Sequence, residues 1–180
     1  MKTGLIFLAS MLWLANLFLM MQWRFSPACH GELKNNQRQG SWICRDARDH
    51  KSAELNYVDG KKEGVTHFWY ADGNPDTTST WKNGFMEGDF QSFHRNGKIH
   101  VRTNYLNGRF HGKLNEWNSR GQIITDCNYE MGLRQGFCRT WHANNQLASE
   151  INYKKNKAQP PIKFWNKSGV LQVAPQDFDQ

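Results

Sequence analysis

Four cysteines are the residues of this 180-residue sequence whose spacing most directly suggests covalent chemistry. Cys127 and Cys138 flank Gly132, so a hairpin centred just after that glycine places them opposite each other. Moving this centre back by four of the 24-residue periods described below places Cys29 opposite Cys44. Because opposed cysteines on neighbouring antiparallel strands can be bridged, two disulfides and an oxidising compartment are predicted. The alternative is four buried free thiols.

Histidine and carboxylate chemistry finds little support in the sequence. The seven histidines include no pair at helical ligand spacing, and neither C-x-x-C nor H-E-x-x-H occurs. His94 and His142 occupy the same position of the repeat, which indicates a role in its shape. Asp and Glu form no paired constellation of the glycosidase type, and there is no Gly-x-Ser-x-Gly elbow. The sequence therefore predicts a protein that is not an enzyme and needs no metal or cofactor.

A column of aromatic residues, one in each repeat, is the strongest candidate for a binding surface. One interpretation is that the column packs the strand ends along a sheet. The other is a groove of aromatic anchors rimmed by cations, suited to a protein partner or an anionic surface. The candidate partner-binding residues are the column and two cations beside it: Trp69, Phe93, Trp117, Trp141, Trp165, Lys98 and Arg102.

Strict alternation along the strands assigns these residues to faces of the predicted sheet. If each turn is a two-residue loop, the column lies with His100 on the face opposite the two later cysteines and the tyrosines. Ile99, Ile123 and Leu147 fall on the tyrosine face by the same alternation. A change of one residue in loop length would reverse this assignment.

The elements that must position these residues follow from a repeat of constant length. The aromatic residues that open each copy are 24 residues apart: Tyr57, Trp81, Tyr105, Tyr129 and Tyr153. Glycines or asparagines recur at fixed positions after them, and dipeptides such as Asn96-Gly97 are typical of tight hairpin turns. The segments between turns alternate with period two, as strands do. The sequence thus predicts an all-β, elongated antiparallel meander of about eleven strands, built from stacked hairpins.

The pattern Y-x-x-G-x-x-x-G-x-x-x-x-W-x-x-x-G resembles the MORN repeat, and more closely its bacterial variant in proteins known as YwqK-type antitoxins. The resemblance covers residues 57–169, with a degenerate earlier copy from Leu33. It implies a sheet of stacked MORN-like β-hairpins. It also implies functions such as membrane-associated scaffolding, protein binding, toxin neutralisation or service as an accessory part of an enzyme.

The predicted organisation has four parts. Residues 1–28 form a hydrophobic helix that is a membrane anchor or signal peptide, and 29–56 form a degenerate first repeat or cap. Residues 174–180 are a loosely ordered tail. Five MORN-like repeats occupy 57–173, divided as 57–80, 81–104, 105–128, 129–152 and 153–173.

The amino-terminal apolar run bears on location. Gly4 to Met21 is interrupted only by Ser10 and Asn16 and is just long enough to span a bilayer. An uncleaved anchor, a signal cleaved before Cys29 and a buried helix are the three alternatives. Positive charges flanking the run favour a cytoplasmic domain, whereas the cysteine pairs favour the periplasmic or extracellular side. We expect an anchored ectodomain or a secreted protein.

Three functions remain open at this stage. The first is a non-enzymatic module that binds a protein partner, with a cognate toxin suggested by the resemblance. The second is an envelope scaffold that binds anionic lipid or polymer, which suits the mild positive excess of the chain, formally +7 in full and +5 without residues 1–28. The third is an accessory domain for an enzyme supplied in trans. The cations form no dense stripe, so a nucleic-acid partner is not expected.

Overall fold

The computed structural model describes residues 28–172, and within that range every regular element is a β-strand. The anchor or signal predicted for residues 1–28 lies outside the described residues except for Ala28, and the predicted tail 174–180 lies outside them entirely. Within residues 28–172, no helix is long and apolar enough to cross a membrane. The strands are β1 (Ala28–Lys34), β2 (Gln37–Arg45), β3 (Lys51–Val58), β4 (Lys61–Lys62), β5 (Gly64–Trp69), β6 (Pro75–Lys82), β7 (Phe85–Phe93), β8 (Ile99–Leu106), β9 (Arg109–Trp117), β10 (Ile123–Glu130), β11 (Leu133–Trp141), β12 (Leu147–Lys154), β13 (Lys157–Trp165) and β14 (Leu171–Gln172).

These strands form one antiparallel sheet in which neighbours in sequence are neighbours in space, so the predicted meander is confirmed. Only β4 departs from the path, because it pairs with β3 alone and is separated from β5 by Glu63. The described strands number fourteen rather than about eleven, since the degenerate first copy forms complete strands and β4 splits from β5. Each hairpin therefore extends the sheet by about 9.6 Å.

Tight turns with left-handed residues close the hairpins at one end of the strands. Asn83 and Gly84 have φ of 51° and 87°, the signs that a type I′ turn requires at both central positions. A later glycine, at the position of Gly136, lies within a strand and forms a β-bulge instead of a turn. Gly136, with φ of 78°, lies in a register shift where Cys127 pairs with Cys138 but Tyr129 pairs with Arg134. Such a bulge accepts glycine readily because its backbone is left-handed.

Both predicted disulfides are confirmed. Cys29 bonds to Cys44 across β1 and β2, and Cys127 bonds to Cys138 across β10 and β11. The described residues contain no free cysteine. The two bridges occupy the same phase of hairpins four periods apart, as the spacing predicted. The possibility of four free thiols is thereby excluded.

The face that carries the tyrosines, here called the tyrosine face, holds the buried core. Trp42, Cys44, Ala53, Leu55 and Tyr57 pack together at the first copy, with the Trp42 and Tyr57 rings 6.3 Å apart in an edge-on arrangement. These residues bury apolar surface that a single-layer sheet would otherwise leave in water. The core is therefore concentrated at the beginning of the array.

Polar contacts continue this face into the next copy. Thr66 has no exposed surface, and its Oγ1 lies 2.7 Å from Ser79 Oγ. The Trp81 indole N–H donates to Thr66 Oγ1 at 3.1 Å, and the Lys62 ammonium lies 4.1 Å from the Trp81 ring centroid. Burial, and to a lesser extent the Arg38 guanidinium, lower the pKa of Lys62. The tyrosine face is thus an aromatic surface that combines hydrogen-bonded hydroxyls with partly desolvated cations.

A ladder of side-chain acceptors ties each tight turn to the preceding hairpin. In four copies a Gln or Glu oxygen accepts from the backbone N–H of the first turn residue in the next copy, at 2.8–3.0 Å. The pairs are Gln39 with Asp59, Glu63 with Asn83, Glu87 with Asn107 and Gln135 with Lys155. His111 occupies the equivalent position opposite Met131, and its Nδ1 is buried without a hydrogen-bond partner among the described residues.

Replacing His111 by Gln is therefore expected to stabilise the protein by about 1 kcal/mol, because it restores the acceptor and removes an unsatisfied buried nitrogen. Urea unfolding of His111→Gln and wild type measures the difference. His111→Leu is the matched control, since it removes the nitrogen but supplies no acceptor. Equal stability of the Gln and Leu variants would contradict a missing rung in the ladder.

Candidate binding stripe on the outer face

Contacts around Trp69, the first residue of the aromatic column, establish which face carries the column. The Trp69 ring lies 5.7 Å from the His67 ring, and the Lys51 ammonium lies 4.6 Å from the Trp69 centroid. Lys51 Nζ is also 2.6 Å from a carboxylate oxygen of Glu54. Glu54 alternates with the buried Ala53 and Leu55, so the column lies on the opposite face, here called the outer face.

A second bulge, present in the hairpins of the first four column residues, brings an aliphatic residue or proline beside each aromatic one. Ser92 pairs with Val101, but the next residue, Phe93, pairs with Ile99, which leaves His100 as the extra residue. The shift recurs at the same phase of the other hairpins. Directly paired residues project to the same face. The five column residues and their partners are Trp69 with Pro75, Phe93 with Ile99, Trp117 with Ile123, Trp141 with Leu147, and Trp165 with Leu171.

The predicted face was wrong for Ile99, Ile123, Leu147 and His100. The three aliphatic residues lie on the outer face beside the column, because the bulge interrupts the alternation just before them. His100 moves the other way: its Nε2 is 3.5 Å from a carboxylate oxygen of Glu116, which pairs with Val101 on the tyrosine face. Strict alternation could not foresee this, but an aliphatic residue or proline six positions after each aromatic was a visible signal.

The column and its partners form a continuous surface that we call the apolar stripe. Most of its side chains are half-buried, and Pro75 and Leu171 at its two ends are exposed. The stripe crosses the strands at right angles and follows the length of the sheet. Its members are Trp69, Pro75, Phe93, Ile99, Trp117, Ile123, Trp141, Leu147, Trp165 and Leu171.

The outer-face row next to the stripe is polar and largely neutralised by its own cross-strand contacts. Asn115 donates to Asp126 at 3.0 Å, and Glu150 accepts from Arg139 at 2.8 Å and Lys163 at 3.3 Å. Arg102 belongs to the same row, is exposed and has no acidic partner among the described residues. The row therefore offers specificity through polar groups, and both Arg102 and Asp126 lack an ion-pair partner among the described residues.

The loops on the other side of the stripe are basic. Residues 94–98, 118–122, 142–146 and 166–170 contain Arg95, Lys98, Arg120 and Lys167 and no Asp or Glu. Each of these four cations is exposed and has no ion pair within residues 28–172. Lys98 Nζ donates to the Arg120 carbonyl at 2.7 Å, which holds neighbouring loops together. We call this border the basic loop edge.

The first end of the stripe widens into a shallow cavity of about 580 Å³. Arg45 and Lys51 line it together with Trp69, and Asp49 and Asp72 contribute acidic groups. Arg45 Nε lies 3.8 Å from Asp49, so its charge is partly compensated. The stripe thus begins in a mixed-charge pocket and continues along a purely basic edge.

Lys98 and Arg102 therefore lie on opposite borders of the column, Lys98 in the basic loop edge and Arg102 in the polar row. Among the described residues no group of three His, Cys, Asp or Glu could hold a metal ion. The arrangement offers an extended contact surface. This geometry can be compared directly with known repeat families.

The model of the MORN repeat variant matches residues 86–107 and 134–155. These segments are two periods apart, and each begins at the second residue of a strand, β7 or β11. The chain contains MORN repeats of the variant type. The resemblance of the sequence to the MORN repeat is thereby confirmed, and the hairpin sheet described above is the form that these MORN repeats take in residues 28–172.

Comparison with solved structures gives weak similarities. The MORN array is similar to S. aureus TarM, with a TM-score of 0.28, 12% identity and coverage of 81% of this chain and 23% of that one. A TarM variant in complex with fondaparinux, α-GlcNAc-glycerol and UDP gives a TM-score of 0.29 and 13% identity, with coverage of 80% of this chain and 23% of that one. The chain thus spans about a quarter of the length of these proteins. No curated protein sequence matches it.

The acid sensitivity of the later MORN repeats should depend on Glu150. Its hydrogen bonds from Arg139, and then from Lys163, lower its pKa below the ordinary value of 4.5. A carboxyl whose pKa falls on folding stabilises the native state above the unfolded pKa, and this contribution is lost as the pH falls through the folded value. We expect the melting temperature to drop below about pH 4.5.

The Glu150→Gln variant tests this contribution, because it keeps the shape of the side chain but cannot titrate. At pH 7 the variant should be less stable than wild type by up to about 1 kcal/mol and should therefore melt at a lower temperature. The two melting temperatures should converge near pH 3. Asp89→Asn, at an exposed outer-face position outside these contacts, is the control. A constant gap between Glu150→Gln and wild type across this pH range would contradict the assignment.

Proposed function

We propose that this MORN array is a non-enzymatic binding module that holds a protein partner along the apolar stripe. The observation that carries the proposal is the stripe itself, ten apolar residues aligned across ten strands of one face. Aromatic residues flanked by cations are the side chains that contribute most to protein interfaces. The bulges support the same proposal, since at four of the five anchors they place an aliphatic residue or proline beside the ring.

Packing alone gives no reason for the stripe to be continuous. Within residues 28–172 the sheet is a single layer, so nothing in that range covers the outer face. On the same face, beyond the polar row that borders the stripe, apolar residues occur singly, as at Val65 and Phe137. Contiguous apolar surface with a polar border is typical of interaction sites.

We further propose that the protein works outside the cytoplasm, held by residues 1–28 or released after their cleavage. The long apolar run and the two disulfides support this location. The resemblance to YwqK-type proteins supports a more specific role, in which the module neutralises a cognate toxin by occluding its surface. Co-expression with a toxin encoded nearby would test that role by rescue of growth.

An envelope scaffold is the second candidate, and the basic loop edge is the observation that favours it. Four exposed cations without acidic neighbours would attract an anionic lipid or polymer surface. Sedimentation with anionic and neutral vesicles at low and high salt tests this, since electrostatic attachment weakens with ionic strength. Service as an accessory domain for an enzyme in trans would use the apolar stripe in the same way as the first proposal.

The decisive experiment is site-specific photo-crosslinking in the protein's own cells. A photoreactive residue at Arg102, beside the apolar stripe, should give one discrete protein adduct, and Trp117→Ala should abolish it while the protein stays folded. The same photoreactive residue at Asn104, also exposed on β8 but one row further from the stripe, is the positional control. Phe137→Ala removes an exposed outer-face ring outside the stripe and should leave the adduct intact.

Two results would overturn the proposal. One is an identical set of adducts from Arg102 and Asn104, which would indicate non-specific encounter. The other is loss of folding in Trp117→Ala, detected by circular dichroism, together with wild-type adduct formation by the milder Trp117→Phe and Ile123→Ala variants. That pair of results would assign the column to packing of the strand ends.

A further inference from the structure

We propose, resting on the binding function above, that the partner presents an acidic segment in polyproline II conformation to the stripe from Phe93 to Trp165. Three properties of the stripe lead to this assignment: the distance between its anchors, its direction relative to the strands, and the charge of its border.

The first property is spacing. Successive anchors of the column lie two strands apart, which is about 9.6 Å. A polyproline II helix has three residues per turn and rises about 3.1 Å per residue, so every third side chain returns to the same side after about 9.3 Å. Over the three intervals from Phe93 to Trp165 the mismatch accumulates to only about 1 Å. An extended β-strand returns a side chain to the same side every 6.6 to 6.8 Å or so and loses phase at once.

The second property is direction. The stripe runs across the strands, whose backbone N–H and C=O groups are already used in the sheet ladder. A ligand lying along it therefore meets side chains and cannot add as a further strand. Polyproline II suits such a surface because its backbone stays hydrated and needs no hydrogen bonds from a partner. Aromatic-lined grooves recognise proline-rich segments on the same principle.

The third property is charge complementarity. Between Phe93 and Trp165 the basic loop edge supplies Arg95, Lys98 and Arg120, and its four loops from residue 94 onward contain no acidic residue. On the opposite border Arg102 adds a cation without an acidic partner among the described residues, and Asp126, two strands further along that row, is bonded to Asn115. Asp49 and Asp72 lie only at the first end of the stripe, in the cavity around Trp69. An acidic segment is therefore favoured along the later anchors and disfavoured at that first end.

Fluorescence polarisation with synthetic peptides and the full chain in detergent provides the test. The probe is a labelled peptide of about five Leu-Pro-Glu triplets, which places a leucine at each turn of the polyproline II helix. The first control peptide has the same composition with leucines at irregular spacing, and the second has Lys in place of Glu. We expect the triplet peptide to bind at least about ten-fold more tightly than either control.

Variants of the protein locate the binding. Trp117→Ala and Trp141→Ala should each weaken binding of the triplet peptide about ten-fold, whereas Phe137→Ala should not change it. Replacing Lys98 and Arg120 by Gln should weaken binding and reduce its dependence on salt. Equal binding of the triplet and irregular peptides, or binding unaffected by Trp117→Ala and Trp141→Ala, would overturn the assignment.

The outcome separates this inference from the function on which it rests. A discrete adduct from Arg102 combined with no preference for the triplet peptide leaves the binding module intact and rejects the polyproline II segment. An anionic oligosaccharide or anionic vesicles that bind through Trp117 when the triplet peptide does not would also reject it. Failure of both the crosslink and the peptide rejects the binding module as well.

Discussion

Reduction of the two disulfides should destabilise the protein by about 3 kcal/mol for each bridge and lower its melting temperature by about 10 to 20 °C in total. The bridged cysteines are 15 and 11 residues apart, so each bridge removes the conformational freedom of a short loop from the unfolded chain. Thermal unfolding with and without reductant measures the effect, with thiol titration to establish that both bridges have opened.

Removal of each bridge should reduce protection from hydrogen exchange in a different part of the sheet. Among the described strands β1 pairs with β2 alone, so the Cys29→Ala/Cys44→Ala variant should release β1 and leave later hairpins protected from hydrogen exchange. Cys127 is 2% exposed, and its strand β10 is paired with β9 on one side and β11 on the other. Cys127→Ala/Cys138→Ala should therefore lower protection across β9 to β12. An unchanged melting temperature after complete reduction would contradict the stapling role of both bridges.

The period of the sequence made most of this fold predictable. Five columns in register fix the length of the hairpin, and a two-residue turn at Asn83-Gly84 fixes its pairing. The cysteine pairing was predicted by counting from a centre just after Gly132. The bulge at Gly136 is what brings Cys127 opposite Cys138, because the two-residue turn alone would place Cys127 opposite Gly136. Counting and local turn chemistry thus predict the hairpins themselves.

The face of individual residues was less predictable. Alternation determines a face only while the register is uninterrupted, and a bulge adds one residue without any change in repeat length. His100 is such an extra residue, so Ile99 and the column end on the same face although they were assigned to opposite ones. The signal for this bulge was the aliphatic residue or proline six positions after each aromatic residue, which the assumption of strict alternation did not use.

The same reasoning explains why the partner could not be derived from the column alone. An aromatic residue once per hairpin serves equally well as a packing element or as an anchor. What distinguishes them is the neighbourhood: the aliphatic partner opposite each ring, the exposed basic loop edge and the neutralised polar row. Those neighbours become adjacent only when the hairpins are stacked, which is why the stripe emerges from the structure.

Trp42→Ala should be the most damaging single substitution outside the disulfides, with a loss of about 3 to 5 kcal/mol in the stability of the first copy. Trp42 is 8% exposed, contacts the Tyr57 ring and lies beneath the Arg38 guanidinium, 4.6 Å from its ring centroid. A Cβ placed on Gly31 would meet the indole at 2.5 Å, so the ring is packed directly against the backbone of β1. Removing it leaves a cavity between three strands and exposes the remaining core.

Because each repeat in a linear array contacts mainly its neighbours, this loss should remain local. Hydrogen exchange should show β1 to β3 unprotected in Trp42→Ala, while β7 to β13 keep wild-type protection. Trp42→Phe is the matched control and should cost much less. It retains most of the ring volume and removes the indole N–H, which is buried and has no hydrogen-bond partner among the described residues. A uniform loss of protection along the whole sheet in Trp42→Ala would show instead that the array unfolds as one cooperative unit, with its stability set by the core of the first copy.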